Sequence, residues 1–164
     1  MFEPREYTAA ELLTWARFAA LTLVGVALSY ARERDGSVDR FIDFASARLS
    51  ERWGAPAGGG VEAAMLGFLL NAEALGADVR GRAMNPEEAE AVLSDLPGER
   101  VMRDLDDRFE VLLSTEDLLE AAGVSREEMN RVYDVLGAAA AAAGFEYRRE
   151  TDAAGGQQIV LQAW

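Results

Sequence analysis

Apolar and polar positions recur with a period near 3.6 along most of this chain and with a period of 2 near its end. Thr8 and Glu11 have the spacing of a capping box and open a helix. The next stop signal is Asp35 followed by Gly36, so that helix runs to about Arg34. From Leu12 to Tyr30 its only charge is Arg17, and residues 18–31 carry none. A helix apolar nearly all round is expected to be buried on both sides. Ser37 caps a second helix over about 38–53. Val38, Phe41, Ile42, Ala45, Leu49 and Trp53 share one face, opposite Arg40, Asp43, Arg48, Glu51 and Arg52. Residues 54–60, four of them Gly, form a flexible connector. A third helix, about 61–75, aligns Val61, Ala64, Met65, Phe68, Ala72 and Leu75, and Gly76 closes it.

The second half is more broken. Residues 77–84 have the length of a strand. Asn85, Pro86, Glu87 and Glu88 read as a helix start, with a capping Asn, Pro in the first turn and acids at the positive end of the dipole. That helix would end at 93–96, before Pro97 and Gly98. Residues 101–113 fit a helix aligning Val101, Leu105, Phe109 and Leu112, or a hairpin turning at Asp106 and Asp107. Helix signals restart at Ser114 and Thr115, which favours a strand over 108–113. Thr115–Ala122 reads as a short helix stopped by Gly123. Ser125 caps a longer one, about 126–143, ended by Gly144. Phe145–Thr151 and Gln157–Ala163 alternate as two strands around the loop 152–156. The fold class expected is α+β, mostly α. Residues 1–76 form a three-helix bundle around the central apolar helix. Residues 77–164 form an α+β region that packs with it as one unit, and 108–113 is a third strand beside the terminal hairpin.

In the tail, Leu118, Leu119, Ala122, Val124, Met129 and Val132 build a small shared core around a turn at Gly123, with Ser125 as cap. This helix-turn-helix pair followed by a β-hairpin, residues 115–163, resembles the winged helix-turn-helix modules of bacterial regulators. The resemblance implies a second helix that reads DNA and a hairpin wing that touches the backbone. The start of that second helix offers Arg126, Glu127, Glu128, Asn130 and Arg131, and the wing offers Arg148 and Arg149. Residues 114–164 hold 9 acids against 4 Arg. Acids facing phosphates cost affinity, so the charge argues against nucleic acid as a partner.

Composition narrows the chemistry. The 164 residues include no Cys, His or Lys; all 16 basic residues are Arg, against 29 acids, for a net charge of −13. Disulfides, Cys/His metal sites, Ser–His–Asp triads, Cys nucleophiles and Lys Schiff bases are all excluded. No catalytic residue and no cofactor is expected. Residues 77–164 carry 19 acids and 9 Arg, against 10 acids and 7 Arg in residues 1–76. An acidic surface of this kind favours solubility and docking to a protein partner. Residues 1–11 hold Glu3, Glu6 and Glu11 with Arg5, the wrong charge for a secretion signal, so a cytoplasmic setting is expected. The charge-free run 18–31 is shorter than the roughly 20 residues that span a bilayer, which argues against membrane insertion. Asp104, Asp106, Asp107 and Glu110 lack the glycine and spacing of a calcium loop and have Arg103 and Arg108 as local partners, so no metal is expected.

Two candidate sites remain. The apolar surplus of the first helix suggests a homodimer interface at Leu21, Val24, Gly25 and Leu28, with Ala20, Ala27 and Ala31 permitting close approach. Arg17 with Glu62 or Glu73 could form a buried pair lining a ligand site beside that helix. The function expected is a non-enzymatic regulatory or protein-interaction module, acidic, soluble and homodimeric. The alternatives are a winged-helix DNA-binding regulator, and a small-molecule-binding protein or carboxylate-only enzyme with an apolar pocket beside the first helix.

Overall fold

Local capping chemistry sets most of the helix boundaries. The computed structural model describes residues 6–53, 59–109, 114–153 and 155–164, which contain seven α-helices and four β-strands. Helix α1, Ala9–Asp35, begins at the capping box of Thr8 and Glu11 and ends at Gly36, whose φ is 79°. Helix α2, Asp39–Trp53, starts where the Ser37 hydroxyl accepts from the Asp39 N–H at 3.0 Å. Helix α3 spans Val61–Ala74. Gly76 then adopts φ 88°, and the N–H groups of Gly76 and Ala77 donate to Glu73 and Ala72, each at 3.0 Å, the two bonds of a Schellman closure.

Strand β1 is Val79–Met84 and strand β2 is Glu88–Leu93, paired antiparallel. Here the structure departs from the sequence reading: the segment after Asn85 is not a helix. The Asn85 side chain accepts from the N–H groups of Glu87 and Glu88, both at 2.9 Å, and the Asn85 N–H donates to the Glu88 carbonyl at 2.8 Å. These are bonds that would cap a helix, but they serve a hairpin turn equally well. Beyond it Ala89, Ala91 and Leu93 are fully buried in alternation with Glu88, Glu90 and Val92, which are only half-buried.

Helix α4 is Glu99–Phe109. The helical reading of this segment therefore holds through Phe109, and a strand beginning at Arg108 does not. Residues 110–113 lie outside the described residues, as do 54–58 of the connector. Val101, Met102 and Leu105 form a small buried cluster with Phe18 of α1. Helix α5, Thr115–Ala122, is capped by Ser114 and Asp117 and stopped by Gly123 at φ 70°. The long helix read after Ser125 comes as two, α6 at Arg126–Asn130 and α7 at Val132–Ala142, joined through Arg131.

Strands β3, Phe145–Thr151, and β4, Gln157–Ala163, complete an antiparallel sheet in the order β1-β2-β4-β3. The strand beside the terminal hairpin is thus β2, with Ala91 opposite Ile159 and Ala89 opposite Leu161. The inner face of β2 and β4, including Ile159 and Leu161, is buried against α3.

The helix at the middle of the molecule is α7. Its Val132, Tyr133, Val135, Leu136, Gly137, Ala139 and Ala140 are buried, and it packs against α2, α3 and β3. Helix α1 instead runs along α4, α5, α2 and α6. One continuous buried cluster extends from Leu21 and Leu28 through Met65, Phe68 and Tyr133 to Ile159 and Leu161.

Candidate functional site

Helix α1 has two unlike faces. Thr14, Leu21, Gly25, Leu28 and Ala31 are buried within the chain. A Cβ on Gly25 would lie 2.8 Å from Ala122 Cβ and 3.1 Å from Met129 Cε, so α1 abuts the corner between α5 and α6 there. Leu21, Gly25 and Leu28, read as an interface between subunits, therefore belong to the chain's own core, and Val24 packs at its edge. The close approach that Gly25 permits is made to another helix of the same chain.

The opposite face is apolar and exposed. Leu12 is 55% exposed, Leu23 70%, Val26 51% and Tyr30 62%, and Ala16 and Ala19 between them are exposed too. Leu13 and Trp15 flank the stripe, and Phe44 of α2, 60% exposed, extends it sideways. Trp15 leans on Phe109, with ring centroids 4.8 Å apart. A cleft of about 340 Å³ between α1 and α2 is lined by Ala27, Tyr30, Arg34, Arg40, Phe41 and Phe44. With 27 residues, α1 is also the one helix among the described residues that is long and apolar enough to cross a bilayer.

The residues read as a ligand site are not brought together. Arg17 is half-buried, with its Nε enclosed and lacking a hydrogen-bond partner. Glu62 is exposed in the first turn of α3. Glu73 lines a groove of about 380 Å³ between α3 and β1, with Leu66, Leu70, Arg80 and Arg82 among its neighbours. Among the described residues no ion pair joins Arg17 to either glutamate.

A polar network lies behind α6 and α7. Asn130, 2% exposed, accepts from the Leu96 N–H at 2.9 Å and donates to Asp95 Oδ1 at 2.6 Å. Gln157, 1% exposed, donates to that oxygen at 2.9 Å, and Arg126 Nη1 reaches Asp95 Oδ2 at 3.1 Å. Gln157 Oε1 accepts from Arg149 Nη1 at 2.7 Å. Arg149 also bonds Asp134 at 2.8 Å and Glu127 at 2.7 Å. Burial disfavours its charge, but the Glu127 and Asp134 carboxylates outweigh that and hold its pKa above the usual value. The Tyr133 hydroxyl donates to the Ser94 carbonyl at 2.8 Å, and the Tyr147 hydroxyl to Asp134 at 3.2 Å. Burial, and then nearby carboxylates, push both phenols above their ordinary range.

Chemically this network is a clamp. Its donors and acceptors answer one another across four stretches of chain, which fixes α6 and α7 to the sheet. It also engages three of the four arginines that a winged helix would turn to DNA: Arg126 pairs with Asp95 and Glu116, Arg131 with Asp39 and Asp134, and Arg149 as above, whereas exposed Arg148 lies outside it, 3.6 Å from Glu146. Sequence reading missed the network because its members are far apart in the chain. The available hint was a polar residue, Asn130 or Gln157, at a position where the apolar period continues on either side. No group of three or more Asp and Glu able to hold a metal occurs among the described residues. Comparison with protein families, with curated proteins and with solved structures finds no match to this chain.

Proposed function

We propose that this chain is a non-enzymatic protein-interaction module that docks through the outer face of α1. The observation that carries this reading is the exposed stripe of Leu12, Leu23, Val26 and Tyr30. Together with Leu13, Trp15 and Phe44 it offers roughly 600 Å² of apolar side chain, at the upper end of what monomers expose. The acidic, cysteine-free composition suits a soluble role in the cytoplasm.

The test places a benzophenone amino acid at position 23, and as a control at position 150 on β3, in cells producing the chain. Irradiation is expected to give a discrete adduct from position 23 alone. Equal labelling from both positions, or none from 23, would overturn the proposal.

A further inference from the structure

Taking that face as the docking surface, we infer that its occupant is a second copy of this chain, laid antiparallel across a two-fold axis level with Leu21. Leu12, Ala16, Ala19, Leu23, Val26 and Tyr30 are separated by steps of 4, 3, 4, 3 and 4 residues. This is the 3.5-residue period of a helix seam that meets another helix, and here the whole seam faces outward.

The seam complements itself in one direction only. An antiparallel copy sets Leu12 against Tyr30, Ala16 against Val26, and Ala19 against Leu23, so each small residue meets a larger one. A parallel copy would set Ala16 on Ala16 and Ala19 on Ala19, leaving two successive layers underfilled.

Charge selects the same arrangement. A net charge of −13 repels a copy in general, but no charged residue lies on the seam or at its flanking positions 13, 15, 20, 22, 27 and 29. The ends of α1 carry little net charge of their own, since exposed Arg34 in the last turn is flanked by exposed Glu33 and Asp35. The helix dipoles therefore decide: antiparallel pairing opposes them, and parallel pairing would align them. The area suffices as well, since two such faces bury about 1,200 Å², the lower bound for specific interfaces.

The experiment exploits the absence of Cys. Sedimentation equilibrium over a wide concentration range is expected to show a wild-type dimer. Leu23→Glu should weaken it by at least about a hundredfold, because each dimer then buries two unpaired carboxylates. Circular dichroism should show that variant folded, as position 23 is exposed. Orientation is read from Ala16→Cys and Val26→Cys, which are about 15 Å apart along one helix. Oxidation should cross-link an equimolar mixture of the two and neither alone. A wild-type monomer at every concentration, or self-cross-linking of the single variants equal to that of the mixture, overturns the inference. A monomer that binds phosphatidylcholine vesicles, with binding lost in Leu23→Glu, overturns the second copy but leaves α1 as a docking surface. A monomer that also gives no adduct from position 23 overturns both.

Discussion

Replacing Gly137 by Ala sets two magnitudes against each other. Gly137 lies inside α7, just before the alanine run 138–143. On helix propensity alone, Ala there should stabilise the fold by about 1 kcal/mol. The packing opposes this, because the added Cβ would press into the Tyr147 ring edge, 2.5 Å from its Cδ2. That ring has little room to retreat. Its hydroxyl is held by Asp134, and its ring centroid lies 6.1 Å from that of Phe68. Forcing extra volume into a packed site costs about 1–3 kcal/mol, and a rigid aromatic neighbour puts this case at the upper end. The net expectation is a loss of about 1–2 kcal/mol, or roughly 2–8 °C in Tm for a chain of this size. Thermal and urea unfolding followed by circular dichroism would measure it. With Tyr147→Ala already present, the same Gly137→Ala change should be neutral or stabilising, so the two substitutions should couple strongly. An unchanged or raised Tm for the single variant would show that Tyr147 does not lean on α7 as described.

Asn130→Ala leaves the buried Leu96 N–H without its partner and removes one of the two donors to Asp95 Oδ1, and should cost about 2–3 kcal/mol in urea unfolding; a loss under about 0.5 kcal/mol would refute the clamp. For Glu128, burial opposes ionisation, but the Ser125 N–H and hydroxyl and the Arg32 guanidinium prevail and hold the pKa below the ordinary value. Its contribution is therefore present above the ordinary glutamate range and lost as pH falls below it, so Glu128→Gln should flatten the acid limb of stability against pH. A slope identical to wild type between about pH 5 and 3 would contradict this. Tyr133 and Tyr147, held up by burial, should stay protonated in the folded chain past about pH 10, where phenols ordinarily ionise. Folding stability should accordingly be undiminished by these groups below pH 10 and fall above it, and ultraviolet titration should show their ionisation arriving with alkaline unfolding. Their ionisation near pH 10 in a chain that remains folded would sink the expectation.

Features made by neighbours in sequence were legible. The capping box at Thr8, the cap at Ser125 and the glycine stops at Gly36, Gly76, Gly123 and Gly144 rest on bonds spanning at most a few residues. The terminal hairpin strands, Phe145–Thr151 and Gln157–Ala163, were equally clear, because two strand-length runs flank a glycine-bearing loop. Asn85 was not decisive, since one side-chain oxygen can collect two N–H groups in a turn or at a helix start.

What settled β2 was a ladder to β4, from Ala91 to Ile159, which no local window contains. The same holds for α1. By itself the sequence determined that the helix exists, where it starts and stops, and that it is apolar all round. Only the tertiary structure decided which side is core, by seating Gly25 against Ala122 and Met129 and leaving Leu23 outside. The physical reason is that hydrophobicity says how much surface seeks burial, whereas the partner that provides it comes from distant parts of the chain or from another molecule.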